Sequence, residues 1–282
     1  NMDPATDWVP SSAFNTWIGS DNTTWNVAAN WSRSAVPAAT DNVGLYKWTT
    51  LGNQCNLSGT PTVDNILFSA DAEPTISSGL NTTGNLLLNR NLDINTQSFY
   101  LHTNAQLVEG DYRLSATSGS IYTTRSLNNI SAQNVAGLGA VLTTSANMGS
   151  TTITRSHQQV TQGLDKSILR VYRIEPQTNT GLDATLVFKY HPDELNTLTE
   201  SNLKLFKSNV LGTVWTKQNS TSMNTTDHTA TLMGIDGFSY WTLADQSDPL
   251  PVELSAFSAS LSGANVKLKW RTETEVANFG FY

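Results

Sequence analysis

The chain has 282 residues, enough for one large or two ordinary domains with a sizeable core. Only 14% of its residues are charged, the net charge is -7 and no Lys/Arg cluster occurs, so a nucleic-acid binder that must hold phosphates is excluded. Cys55 is the single cysteine, which excludes an intrachain disulfide and a thiolate metal cluster, and no apolar run approaches the roughly 18 residues of a membrane helix.

Asn, Ser and Thr crowd the whole sequence. Neutral polar side chains suit sheet edges, turns and side-chain ladders, so the composition predicts an all-β extracellular protein rather than a helical cytosolic enzyme. The N-terminal Asn1-Met2-Asp3-Pro4 lacks the charged and apolar parts of a signal peptide, so an exported chain is read here in mature or internal form.

Tryptophan dominates residues 11 to 60: Trp17-Ile18-Gly19, Trp25, Asn30-Trp31, then Pro37 and Asp41-Asn42-Val43. This order resembles the W-x-G … N-W … P … D-x-V element at the start of solenoid-like regions in secreted and autotransported bacterial proteins. A β-solenoid needs its end covered, and large aromatics can cover it. Exposed aromatics could instead stack on sugar rings, which makes Trp17, Trp25, Trp31 and Trp48 a candidate glycan platform; packing is the commoner use of such rings.

From residue 61 to about 150, short apolar runs alternate with Asn, Gly and Ser turns: Asn65–Phe68, Asn85–Leu88, Leu92–Ile94, Phe99–Leu101 and Gln106–Val108. Their spacing is irregular, and no helix-length amphipathic segment intervenes. That pattern predicts β-solenoid rungs or a meandering sheet over 1–135, with asparagines free to form internal ladders. Beyond Ala136 the runs lengthen, at Gly137–Leu142, Ser150–Arg155, Ile168–Pro176, Ala184–Tyr190, Leu203–Lys207, Val214–Thr216, Thr229–Leu232 and Tyr240–Leu243. Ala184, Leu186, Phe188 and Tyr190 share one face, and the set predicts a β-sandwich over 136–246. Asp193–Asn196, after Pro192, is the one helical turn expected.

The last segment, 247–282, begins with the linker Pro249-Leu250-Pro251-Val252-Glu253-Leu254. A strand Asn265–Trp270 follows, with Val266, Leu268 and Trp270 on one face, and then the start of another at Thr274–Tyr282. Pro-x-Pro-Val-Glu-Leu, Val-x-Leu-x-Trp and Glu-x-x-Asn-x-Gly-Phe, in this order, resemble the opening of the fibronectin-III-like module near the C-terminus of many secreted and cell-surface Bacteroidota proteins. The block before it, with its Gly-Phe-Ser-Tyr-Trp-Thr-Leu-Ala stretch, resembles what precedes that module. The resemblance implies a bacterial cell-surface address and carries no catalytic residue. Two or three strands cannot bury a core of their own. Leu254, Phe257, Val266, Leu268, Trp270, Phe279 and Phe281 are therefore the residues expected to insert into a neighbouring copy by strand complementation, or to belong to a partial module packed on its own chain.

The search for chemistry nominates nothing. His102, His157, His191 and His228 lack the spacing of a zinc site and sit among polar turn residues, so surface positions are expected. His191-Pro192-Asp193-Glu194 reads as a strand end followed by a helix start. Asp93-x-Asn95 and Asp245-x-x-Asp248 are the nearest approaches to a structural calcium loop, without the ligand density of an EF-hand. No cofactor is expected. Three readings result: an extracellular structural or adhesive surface protein, self-assembling through its C-terminal strands and not an enzyme; a carbohydrate-binding module; and, third, a polysaccharide-degrading β-solenoid enzyme with two facing carboxylates.

Overall fold

A computed structural model describes residues 14–46, 52–208, 213–247, 254–262 and 265–272. The described chain is all-β, a solenoid followed by a sandwich-like mixed sheet, with four single-turn 3-10 helices.

Parallel pairing builds the first part. Phe14–Thr16, Asn42–Leu45, Ile66–Phe68, Asn85–Leu88 and Gln106–Val108 stack in parallel as one solenoid face. A second face is made by Thr62–Val63, Leu80–Thr82, Ser98–Leu101 and the start of Ser120–Asn134. A third consists of two short pairs, Asn56–Leu57 on Thr75–Ile76 and Leu92–Asp93 on Leu114–Ser115. Val43 lies opposite Ile66, Ile66 opposite Leu86 and Leu86 opposite Leu107, so successive rungs take 23, 20 and 21 residues. The loops vary while the strands keep register, which hides the repeat in the sequence.

Each rung places apolar side chains in one continuous core: Val43 and Leu45, Ile66 and Phe68, Leu86 and Leu88, then Leu107. At one corner asparagines form the expected ladder. Asn65 donates from Nδ2 to Asn42 Oδ1 at 2.7 Å and accepts from the Asn85 backbone N–H at 2.6 Å. A polar side chain at this corner satisfies neighbouring rungs that an apolar one would leave wet or unpaired.

Two long strands, Ser120–Asn134 and Ala140–Ser156, form an antiparallel hairpin that carries the sheet out of the solenoid. The beginning of the first still pairs in parallel with Ser98–Leu101, so the twelve-stranded sheet passes residue 135 without a break. The second strand serves two wings. Its Thr151–Ser156 half pairs with Val171–Pro176, and its Ala140–Thr143 end pairs with Ala184–Lys189. Tyr240–Asp245 and Leu203–Ser208 extend the first wing, and Thr229–Ile235 extends the second. The wings close on each other: Tyr172 and Phe188 meet edge to face with centroids 4.7 Å apart. Ala184, Leu186, Phe188 and Tyr190 are all buried, as their alternation predicts.

Beyond its pairing with Ser98–Leu101, Ser120–Asn134 carries two left-handed residues, Asn129 (φ 48°) and Ala132 (φ 46°), with register shifts around them. Bulges of this kind break the flat edge on which another chain would add. Leu254–Ser262 and Asn265–Thr272 form a separate two-stranded antiparallel sheet.

Candidate functional site

The tryptophans put forward as a glycan platform lie in the core where they are described. Trp17, Trp25 and Trp31 are at most 3% exposed and meet edge to face, Trp31 being 5.1 Å from Trp17 and 4.7 Å from Trp25. Trp31 Nε1 donates to Trp25 O at 2.8 Å, and Trp17 Nε1 to Asn53 O at 2.7 Å. Buried Asn30 fastens the preceding loop, its Oδ1 accepting from the Asp21 and Asn22 backbone N–H groups while its Nδ2 donates to Thr24 O. The W-x-G and N-W elements are thus a packed cap over the first rung. Trp48 lies outside the described residues.

The densest concentration of charge sits where the solenoid meets the sandwich. Arg155, fully buried, places all five N–H donors: on both oxygens of Glu109, on Leu138 O and Leu114 O at 3.2 Å, and on His157 Nε2 at 3.2 Å. Because Nε2 accepts, the imidazole proton is on Nδ1, which faces Glu194 Oε1 at 3.3 Å. Glu194 in turn holds Arg170, with Nη2 at 2.9 Å and Nε at 2.8 Å, and accepts from the His191 backbone N–H at 2.9 Å. Tyr172 donates its hydroxyl to Leu138 O at 2.6 Å.

One expectation is overturned by this network. His157 is 6% exposed and belongs to the core of the junction, not the surface. The helix start expected after Pro192 is the 3-10 turn Pro192–Glu194, in which Glu194 completes a capping box with His191 while its buried carboxylate also pairs with Arg170. Neither residue has a local signal for this. The charged pairs of the network span 37, 46 and 24 residues, for His157–Glu194, Arg155–Glu109 and Arg170–Glu194 respectively.

Burial pushes the His157 imidazole down to about 4, helped by the charges of Arg155 and Arg170 and opposed by Glu194. Burial alone would raise the Glu194 carboxyl, but Arg170, the His157 bond and Arg155 outweigh it and hold it well below the usual carboxylate range. Glu109 is lowered in the same way, burial being overcome by Arg155 and Arg170. A glycosidase acid needs the opposite shift. A cleft of about 380 Å³ opens over this junction between Leu107, Tyr112, Arg113, Lys189 and His191.

His102 packs edge-on against Tyr100 at 4.5 Å, and His228 Nδ1 lies 2.7 Å from Glu200 Oε1, which also accepts from the Tyr190 hydroxyl at 2.7 Å. Asp93 and Asp245 accept from the backbone N–H two residues on, of Asn95 and Ser247, as local turns. Asp248 lies outside the described residues, among which no group of three or more His, Cys, Asp or Glu could hold a metal ion. No helix among them is long and apolar enough to cross a membrane.

The terminal hairpin sorts its side chains by face. Phe257 pairs with Trp270, Ala259 with Leu268 and Leu261 with Val266 on one side, while Ser258 faces Lys269 and Ser260 faces Lys267 on the other. The apolar side is open: Phe257 is 61% exposed, Leu261 82%, Val266 63%, Leu268 49% and Trp270 45%. Nothing is described for the Leu254 side chain or for Phe279 and Phe281. The two strands satisfy each other's facing N–H and C=O groups, so what they offer a partner is this face and their outer edges.

No family model, curated protein or solved structure matches the chain.

Proposed function

We propose that the chain is an extracellular structural or adhesive protein of a bacterial cell surface, not an enzyme, whose copies join through the terminal hairpin. The address rests on the Asn/Ser/Thr-rich, weakly charged composition and on the resemblance of the Pro-Leu-Pro-Val-Glu-Leu segment. The role rests on architecture: both ends of the solenoid are covered, one by the tryptophan cap and the other by the sandwich. A two-winged sheet anchored by buried ion pairs is suited to bearing load between attachment points.

The observation that carries assembly is the open apolar face of Phe257, Leu261, Val266, Leu268 and Trp270. Isolated two-stranded sheets are marginal in water, and a contiguous exposed apolar patch marks an interaction surface. The strand-complementation reading takes the form of a preformed hairpin docking on another copy's sheet. Such a head-to-tail contact gives filaments when its rotation does not close. Light scattering and negative-stain imaging of the chain test it. Concentration-dependent assembly, lost in Leu261→Asp/Leu268→Asp while the thermal unfolding of the body is kept, is expected. A wild-type chain that stays monomeric up to submillimolar concentration, or a double variant that assembles equally well, overturns it.

A further inference from the structure

We infer that the outer face of the large sheet is a binding site for a neutral oligosaccharide. Cross-strand register places Thr62, Asn81, Tyr100, Tyr122, Thr154, Arg173 and Tyr240 in one row running from solenoid to sandwich. None of the seven is buried, and at the usual strand spacing the row spans about 29 Å. Tyr100 and Tyr122 stack with centroids 5.0 Å apart and planes tilted by 32°, which leaves a low aromatic ridge. The flanking row is Ser98, Ser120 and Ser156, and on the other side Thr124 and Thr152 share a hydroxyl contact at 2.9 Å.

The row ends at a wall. Leu164, Phe206 and Trp215 form a second small core against Val171 and Tyr240, on the outer side of the sheet. At its foot lies a cleft of about 420 Å³ lined by Arg173, Glu175, Asn179, Phe238, Ser239 and Tyr240. Arg173 lies over the Tyr240 ring at 5.3 Å and pairs with Glu175. The phenol hydroxyls of Tyr100, Tyr122 and Tyr240 make no hydrogen bond with any described residue, although each stands on a sheet face where a partner could have been supplied.

Charge and chemistry select the occupant. From Thr62 to Thr154 the row itself and its serine flank carry no formal charge, in a chain of net charge -7, and the other flank holds one carboxylate, Asp64, which accepts from the Thr83 hydroxyl. A polyanion meets only two cations along the row: Arg125, beside Tyr100, whose donors are on Thr123 Oγ1 and Ala105 O, and Arg173, which Glu175 already neutralises. A pyranose chain presents C–H patches to the tyrosine ridge and hydroxyls to the serine, threonine, asparagine and phenol groups, and its end ring can place vicinal hydroxyls between Arg173 and Glu175. The inference rests on the extracellular part of the preceding reading and is independent of assembly.

Affinity electrophoresis and calorimetry of the whole chain against neutral soluble polysaccharides (β-glucan, xylan, mannan, galactan), with alginate as the acidic comparison, test the site. Retardation by at least one neutral polymer is expected, weakened about fivefold in Tyr122→Ala and in Tyr240→Ala, an aromatic contact being worth roughly 1 kcal/mol. Tyr112→Ala, an exposed tyrosine beside the junction cleft, should bind as the wild type does. Unchanged thermal unfolding of the variants separates lost contact from lost fold. No retardation by any neutral polymer, retardation by alginate alone, or retardation of both row variants equal to that of the wild type overturns the inference. Leu261→Asp/Leu268→Asp keeps the row intact, so undiminished glycan binding by that variant tells a failure of assembly from a failure of this site.

Discussion

Arg155 and Glu109 join the two halves of the molecule: Arg155, near the end of Ala140–Ser156, meets the carboxylate that follows the solenoid strand Gln106–Val108, with Nη1 at 2.8 Å from Oε2. The arginine has no exposed surface and Glu109 only 19% of its side chain. Removing one partner leaves a buried charge without compensation, whereas removing both leaves an apolar gap. Arg155→Met should therefore lower unfolding free energy by about 3–5 kcal/mol, and Arg155→Met/Glu109→Leu by clearly less than the sum of the single changes. Urea denaturation of the four proteins measures the cycle.

Acid should loosen the same junction. In an unfolded chain His157 takes up a proton near pH 6.5, but in the folded protein only near 4. Between these values the unfolded state binds more protons, so this group's contribution is complete above about pH 6.5 and falls away as the pH drops toward 4, by about 3 kcal/mol. Glu194, with its carboxyl depressed, loses its own contribution at lower pH still. Thermal melts from pH 7.5 to 4 should show a falling midpoint, and His157→Gln should flatten that slope while lowering the midpoint at pH 7.5.

Trp31 is the centre of the solenoid cap, touching both Trp17 and Trp25 with no exposed surface. Trp31→Ala should cost about 3–5 kcal/mol. The loss should be local at first, so hydrogen exchange in Phe14–Thr16 and Asn42–Leu45 should quicken before exchange in Val171–Pro176.

Gly137 and Gly181 form a matched pair. Both are left-handed, at φ 71° and 66°, but a Cβ on Gly137 would sit 2.1 Å from Leu107 O whereas one on Gly181 meets nothing within 4 Å. Gly181→Ala should cost about 1 kcal/mol from backbone strain alone. Gly137→Ala should cost distinctly more, because the turn that closes the last rung must move off the solenoid. Chemical denaturation of both variants gives the difference.

The strands easiest to read, such as Asn85–Leu88 and Ala184–Lys189, carry a buried apolar pattern that water alone enforces. Ser120–Asn134 is not singled out by the sequence, although it joins solenoid and sandwich. Beyond Leu127 its burial fades and, Ile130 apart, its residues are Asn, Ser, Ala and Gln, so pairing with Ala140–Ser156 supplies what its side chains do not. Gly137–Leu142 and Ser150–Arg155, two strands by their apolar runs, are ends of the one strand Ala140–Ser156, because backbone pairing continues through the polar stretch between them.

The sequence by itself determined the all-β class, the change of texture near residue 136, the turn after Pro192 and the alternation of the terminal strands. These depend on side-chain period, composition and turn chemistry within a few residues. Only the tertiary structure decided that the histidine at 157 and the glutamate at 194 are buried partners, and that Tyr100, Tyr122 and Tyr240 form a half-buried aromatic row on a sheet face while three of the candidate tryptophans pack inside. Those outcomes depend on which strands become neighbours: Tyr100 and Tyr122 are 22 residues apart in the chain and Arg173 and Tyr240 are 67, yet each pair is adjacent in the sheet. Register over such distances is set by closure of the whole core, and no local pattern encodes it.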